Sequence, residues 1–415
     1  MDEIRAKFVV VGAGPAGCSA AKTLIELTSI EDVLLIGRES TLAYERPPLS
    51  KKALLEIQTQ PELLGEAHWL LEQQAHTLLN TTVVKIHPSE RYLITNQNQK
   101  IHYQKLLLCV GADPRRLNIA GEQLGGVFTL REFQDAQHIK AKLQAGKKLV
   151  VVGSGFIGLE VAATARQLGL EVTVISLTSQ LMSRSMPQAV SDVFLAKFIE
   201  QGIRFKFNTS LAQIQGQGQV ERVVLANGEV LDTDMVVVGI GAQPNCQHLL
   251  GIEQLLENGI VVDAHGQTSD PYIFAAGDVA NRKTHFADTE FHARIEAWEP
   301  AREQGRAVAQ FMAQHIAADI DAPWMWSDQF DWNLQALGYG HLATQQLILG
   351  DRESARFTIL QFKDDGQLVG AITVNNGKDM LLCRRALKNK LRVAQHNLHS
   401  HADLTLKQFI ALATA

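Results

Sequence analysis

The chain has 415 residues, of which 46% are hydrophobic and 20% charged, and it carries a formal net charge of −5. So long a chain outgrows a single hydrophobic core and predicts two or three domains, while the mildly acidic balance excludes a general affinity for nucleic acid or an anionic membrane. No stretch reaches the ~18 apolar residues of a spanning helix, and the short apolar run at 8–11 follows Asp2 and Glu3, unlike a secretory signal; no membrane association and a cytoplasmic location are expected.

Cys18, Cys109, Cys246 and Cys383 form no C-x-x-C pair. Buried free thiols are expected, rather than a zinc knuckle or a vicinal redox disulfide.

In chain order, residues 8–11 (FVVV) are a β-branched run of the kind buried in a parallel sheet. Gly12-Ala13-Gly14-Pro15-Ala16-Gly17 follows, then a helical stretch to about Leu27 and a second strand at 33–36. The pattern then returns. A strand at 149–152 leads into Gly153-Ser154-Gly155-Phe156-Ile157-Gly158, a helix at 159–167 and a strand at 172–175. Apolar runs at 106–114, 236–245 and 273–280 each close on glycine, as where a chain leaves a sheet and approaches a ligand closely. The Gln- and Gly-rich stretch 213–219 is expected to be a surface loop, and a helix is predicted over 301–318 with Val308, Phe311, Met312 and Ile316 on its buried face. Beyond Pro323 the texture changes. Strands at 357–362 and 368–374 flank Asp364-Asp365-Gly366 as a hairpin, a helix is predicted over 384–394, and 323–415 is expected to form a separate α+β domain.

In a G-x-G-x-x-G turn the first glycine permits a tight bend, the second lets a pyrophosphate reach the backbone, and the third lets helix pack on strand. The helix N-terminus then faces the phosphates. One such motif is weak evidence; two, each between strand and helix, argue for two dinucleotides. An acid at the end of the second strand ordinarily binds the adenosine ribose. In the first copy Glu39 is available beside Arg38; in the second the place falls on Ser176, with Arg184 the nearest cation. The choice between NADH and NADPH therefore stays open.

GAGPAG (12–17), YERPPLSK (44–51), GSGFIGLEVAA (153–163), TSDPYIFAAGD (268–278) and PWMWSDQ (323–329) together resemble the FAD-dependent ferredoxin reductases of bacterial aromatic-ring dioxygenase systems, of the phenylpropionate and biphenyl types, and more distantly the putidaredoxin reductases. The resemblance implies an α/β fold with two Rossmann-like, glutathione-reductase-like domains and a C-terminal α+β interface domain. It implies an FAD-binding domain in two segments, 1–112 and 246–322, an NAD(P)H-binding domain at 113–245 and the interface domain at 323–415. The activity implied is hydride transfer from NADH (or NADPH) to FAD N5, then single-electron transfer to a [2Fe–2S] ferredoxin feeding a Rieske-type oxygenase of aromatic catabolism. A monomer or homodimer is expected.

Carried over by position, Ala16, Lys51, Val83, Arg131 and Asp278 fall where relatives touch FAD, and Gly12, Gly14, Gly17, Arg38, Glu39, Arg46, Gly277 and Trp298 are further candidate cofactor-binding residues. Gly153, Gly155, Ile157, Gly158, Glu160, Ser176, Arg184 and Gly241 fall at the nicotinamide nucleotide. Lys51, paired with Glu160, falls beside flavin N5, and these two are the candidate catalytic residues. Relatives place acids where this chain has Arg38 and Ser176, which leaves the ribose ligand and the coenzyme preference undecided.

Each residue also has a plainer reading. Most lysines are solvated, but Pro47-Pro48 stiffen the chain ahead of Lys51, which suits a positioned side chain. Glu160 near a helix start equally suits the helix dipole. Trp298, Trp324 and Trp326 singly read as core aromatics. Arg302 with Arg306, and Arg384, Arg385 and Lys388 with Arg392, are basic faces that singly read as solvated helix surface. Together they suit an acidic ferredoxin docking near Trp326, Arg306 and Arg385. His396, His399 and His401 lack a companion ligand set, so no metal is expected. Residues 40–51 contain no cysteine, against a disulfide reductase or a single-cysteine peroxidase. A rubredoxin reductase remains as an alternative enzyme, and an apoptosis-inducing-factor-like, NADH-controlled binding switch as an alternative of another class.

Overall fold

The computed structural model describes residues 3–247, 249–318, 320–394 and 404–413. The chain forms two compact units, each assembled from three separated segments: Met1–Glu45, Gln60–Asp113 and Gln243–Pro323 in the first, and Arg46–Thr59, Pro114–Ala242 and Trp324–Ala415 in the second.

In the first unit the β-branched run becomes a strand, Glu3–Val11, paired in parallel with Val33–Ile36 on one side and Lys100–Leu108 on the other. These belong to a seven-stranded sheet, in which Ile273–Ala275 also adds in parallel to Lys100–Leu108. Both faces are covered, which is why Val9 and Val10 are alike fully buried and the strand reads as unbroken apolar sequence rather than alternation. The helix Pro15–Leu27 packs on the helix Trp298–Gln314, and Gly305 permits the approach: a Cβ there would stand 2.1 Å from the Ala16 carbonyl oxygen.

The second of these helices corrects the expected 301–318. It starts at Trp298, with Pro300 in its first turn where a missing N–H costs no bond, and it ends at Gln314 because His315 turns left-handed at φ 57°. Val308 and Met312 are buried as expected, but Ile316 lies beyond the helix and is 49% exposed.

In the second unit a five-stranded parallel sheet runs Arg204–Lys206, Glu171–Ile175, Lys148–Val152, Met235–Val238, Val127–Thr129. The helix Phe156–Gln167 follows its central strand. The expected loop at 213–219 is partly strand, since Gln213 and Gln215 pair within Leu211–Gln215 and Arg222–Leu225. The C-terminal segment builds a five-stranded antiparallel sheet, in which Arg356–Phe362 and Leu368–Val374 form the expected hairpin and Gly366 turns at φ 78°. The helix expected over 384–394 spans Gly377–Lys388 instead, and a further helix follows at Leu406–Ala413. Asn376 precedes the first of these and donates to Asp379 at 2.7 Å, and Lys390 is left-handed at φ 52°, which ends the helical path. The fold is thus α/β, with two Rossmann-like arrangements and a C-terminal α+β part. Among the described residues no helix is long and apolar enough to cross a membrane.

Candidate functional site

The first unit carries the first glycine turn. Gly12 (φ 110°) and Gly17 are required by the protein itself: a Cβ would stand 2.2 Å from the Cys109 carbonyl oxygen at the one and 1.7 Å from the Gly12 carbonyl oxygen at the other. Gly14 is different. Its φ of −81° suits any residue, and a Cβ there meets no atom within 4 Å. Protein packing does not call for glycine at 14, and in a turn between strand and helix such open backbone suits the close approach of a pyrophosphate. Behind it the helix Pro15–Leu27 begins with no side-chain cap and no acid in its first turn, so its amide groups and positive dipole end suit a pyrophosphate. FAD fits this donor set.

Around the turn, Tyr44 donates its hydroxyl to Glu39 Oε2 at 2.6 Å, and Arg38 donates through both Nη atoms to Asp113 at 3.0 Å each. Glu39 and Arg38 therefore have separate partners although adjacent in sequence. The Gly277 amide donates to Gln304 Oε1 at 3.1 Å, and a Cβ on Gly277 would lie 3.0 Å from that of buried Ala16. The Asp278 carbonyl accepts from Arg294. Val83 is 4% exposed and belongs to the same buried apolar cluster as Ile36. Arg302 lies 4.6 Å over the Trp298 ring and donates to Glu66. That corrects its assignment to a solvated basic face; of the pair, Arg306 is the exposed one.

The second unit repeats the construction. A Cβ on Gly153 (φ 107°) would stand 2.3 Å from the Gly239 carbonyl oxygen, and one on Gly158 would stand 2.3 Å from that of Gly153. Gly155, at φ −80°, again has nothing within 4 Å, and the helix behind it again has neither cap nor first-turn acid. Ile157 is exposed in that first turn. Ser176 is buried, its Oγ 2.8 Å from that of Ser154, so a pair of hydroxyls closes the place where an acid is usual. Arg184 lies over Gly241, whose added Cβ would come within 3.1 Å of Nη1.

Within the same unit Lys51 and Glu160 meet. Glu160 is 3% exposed in the second turn of its helix, and a carboxylate so buried needs partners. Lys51 Nζ lies 2.7 Å from Oε2 and also donates to the Pro47 carbonyl at 3.0 Å. Ser50 Oγ donates to the same Oε2, and Ser327 Oγ donates to Oε1 at 2.6 Å. Glu160, expected near a helix start, thus stands one turn in and is bound by side chains from two other segments. Sequence reasoning missed both serines. Each sits inside a quoted motif, PPLSK or PWMWSDQ, but Ser327 reaches Glu160 across 167 residues of chain. Arg46 and Arg131 are brought together by a bond from Arg46 Nη1 to the Arg131 carbonyl at 2.7 Å.

On the C-terminal segment the Trp324 and Trp326 rings stack at 5.0 Å, with Arg384 4.6 Å over Trp324. Arg385 and Lys388 are exposed on the same helix. Arg392 is off that helix and binds Asp365 at 3.0 Å, which corrects its place in the expected basic face. His396, His399 and His401 lie outside the described residues. All four cysteines are buried and unpaired, and burial pushes Cys18 and Cys383 up to about 12.

Comparison with known proteins gives these cradles a family. Residues 6–305 match the family described as pyridine nucleotide-disulphide oxidoreductase, and residues 324–410 match one described as reductase C-terminal. The chain belongs to the pyridine nucleotide-disulphide oxidoreductases. Among such oxidoreductases it is similar to the 3-phenylpropionate/cinnamic acid dioxygenase ferredoxin–NAD(+) reductase component of Photorhabdus laumondii subsp. laumondii, at 37% identity over 93% of this chain and 97% of that one. It is also 34% identical to a rubredoxin–NAD(+) reductase of Pseudomonas putida, over 89% of this chain and 95% of that one. The crystal structure of the covalent putidaredoxin reductase–putidaredoxin complex matches with a TM-score of 0.90 and 29% identity, covering 100% of this chain and 99% of that one. As a pyridine nucleotide-disulphide oxidoreductase of this kind, the protein uses FAD and NADH.

Proposed function

We propose that this oxidoreductase is an NADH:ferredoxin reductase, taking hydride from NADH and passing electrons singly to a [2Fe–2S] ferredoxin that feeds a Rieske-type aromatic-ring oxygenase. The observation that carries the proposal is the pair of glycines, Gly14 and Gly155, that the surrounding protein does not require. Bound FAD supplies the conversion between a two-electron donor and a one-electron acceptor. Gly12, Gly14, Ala16, Gly17, Arg38, Glu39, Arg46, Val83, Arg131, Gly277, Asp278 and Trp298 serve FAD on this reading, and Gly153, Gly155, Ile157, Gly158, Ser176, Arg184 and Gly241 serve the nicotinamide nucleotide. Lys51 offsets the negative charge of the hydride step, and Glu160 holds its ammonium in place. The corresponding division is an FAD domain in segments 1–112 and 246–322, an NADH domain at 113–245 and an interface domain at 323–415, in a cytoplasmic protein.

The similarity to relatives named as ferredoxin reductase components of dioxygenase systems supports the carrier and its destination. A rubredoxin is the second reading, supported by the rubredoxin reductase relative. The test is a yellow, FAD-containing purified protein whose NADH-dependent cytochrome c reduction requires added [2Fe–2S] ferredoxin. A preparation that stays colourless after FAD is supplied overturns the proposal. Turnover driven by rubredoxin and not by ferredoxin selects the second reading.

A further inference from the structure

Glu160 is held from both sides by segments far apart in the chain. Ser50 and Lys51 take Oε2, while Ser327, on the strand Trp324–Gln329, takes Oε1 at 2.6 Å. The C-terminal segment thus supplies the donor to that second oxygen. Ser327 is 0% exposed, and its own geometry is set from behind: Gln329 Nε2 donates to its Oγ at 3.0 Å. With a lone pair so engaged, the Ser327 hydroxyl proton is directed at Glu160. Gln329 is 1% exposed, and its Oε1 has no hydrogen-bond partner among the described residues. The same Gln329 nitrogen lies 3.9 Å from Met182 Sδ, so the side chain that backs Ser327 is itself seated among buried neighbours.

A carboxylate turns readily about its last torsion. With Oε1 unheld, only the donors on Oε2 would fix that torsion, and the carboxylate that faces Lys51 would be held from one side alone. We propose that Ser327, backed by Gln329, is a positioning residue that locks the Glu160 carboxylate and thereby the Lys51 ammonium, so that the C-terminal segment sets the geometry of the pair. Its consequence for the hydride step rests on the function proposed above; the positioning itself does not.

The test uses the FAD-loaded full chain as wild type, Ser327→Ala and Ser327→Thr, with two readouts. One is the labelling rate of Lys51 by an amine-acetylating reagent, followed by mass spectrometry against neighbouring Lys52. The other is flavin reduction by NADH in stopped flow. In S327A, Lys51 labelling relative to Lys52 rises several-fold and the limiting rate of flavin reduction falls about tenfold, the weight of one hydrogen bond to a charged group, while the NADH concentration giving half that rate changes less. S327T keeps a hydroxyl and restores both. Unchanged Lys51 labelling in S327A overturns the inference and leaves the proposed function standing. Faster labelling with an unchanged reduction rate overturns the use of the pair in the reaction. Failure of S327T to restore either readout, with a melting temperature equal to wild type, overturns the role of the hydroxyl.

Discussion

Gly155→Ala separates what the fold needs from what the ligand needs. A Cβ at 155 meets no protein atom within 4 Å, and the backbone there, φ −80° and ψ −179°, is one alanine adopts freely. The methyl therefore costs the folded protein no more than about 1 kcal/mol, chiefly a poorer N-cap, which lowers the melting temperature by roughly 4 °C at most. A dinucleotide whose pyrophosphate rests on that backbone meets the methyl directly. Overpacking of this kind costs about 1–3 kcal/mol, a rise of ~5- to 150-fold in the dissociation constant. Gly158→Ala is the contrast: its Cβ would stand 2.3 Å from the Gly153 carbonyl oxygen, so backbone must move whether or not ligand is bound. Calorimetric titration of NAD+ into the FAD-loaded protein, with melting curves for both variants, reads the difference. Wild-type affinity in G155A would refute the assignment of that space to the coenzyme, and a loss of stability in G155A as large as in G158A would refute the claim that the fold leaves it open.

Ser176→Glu should raise the ratio of kcat/KM for NADH over NADPH several-fold, because a carboxylate there repels a 2′-phosphate; steady-state kinetics with both coenzymes check this, and an unaltered ratio sinks it. Arg385→Glu should raise KM for [2Fe–2S] ferredoxin and flatten its salt dependence while leaving NADH–ferricyanide activity untouched; equal KM values would leave Arg385 a solvated charge. The buried thiols predict a pH limit. Burial raises Cys18 and Cys383 from the ordinary 9.0 to about 12, and raises Cys109 and Cys246 as well. Above pH 9.0 the unfolded chain therefore gives up thiol protons that the folded one keeps, so this contribution to stability is intact below pH 9 and is lost as pH climbs toward 12. Urea midpoints should fall over that range, and the native protein at neutral pH should consume no thiol reagent; a rapidly reacting thiol would contradict the burial.

The two cradles were legible because their signal is local: strand, glycine turn and helix lie within thirty or so residues, as a βαβ unit must. The hairpin around Asp364-Asp365-Gly366 was legible for the same reason. Element ends were not. The helix Gly377–Lys388 begins ahead of the expected 384, although Met380, Cys383, Ala386 and Leu387 recur at helical spacing on its buried side and Asn376 and Asp379 mark its start. The helix Trp298–Gln314 begins ahead of the expected 301, with Pro300 inside its first turn. Nothing local announces that Arg302 turns to Glu66, that Ser176 closes on Ser154, or that Ser327 reaches Glu160. Those contacts exist only once distant segments are packed, and single-residue chemistry does not rank one serine above another.

The stacked indoles of Trp324 and Trp326, 5.0 Å apart and inclined by 22°, have an optical consequence. Chromophores so close and so nearly parallel share excitation, so their circular dichroism and emission behave as those of a coupled pair. Arg384 lies on one face of that pair. Whatever displaces its guanidinium alters the local field of the rings, which gives this protein an intrinsic, label-free optical reporter on its C-terminal segment.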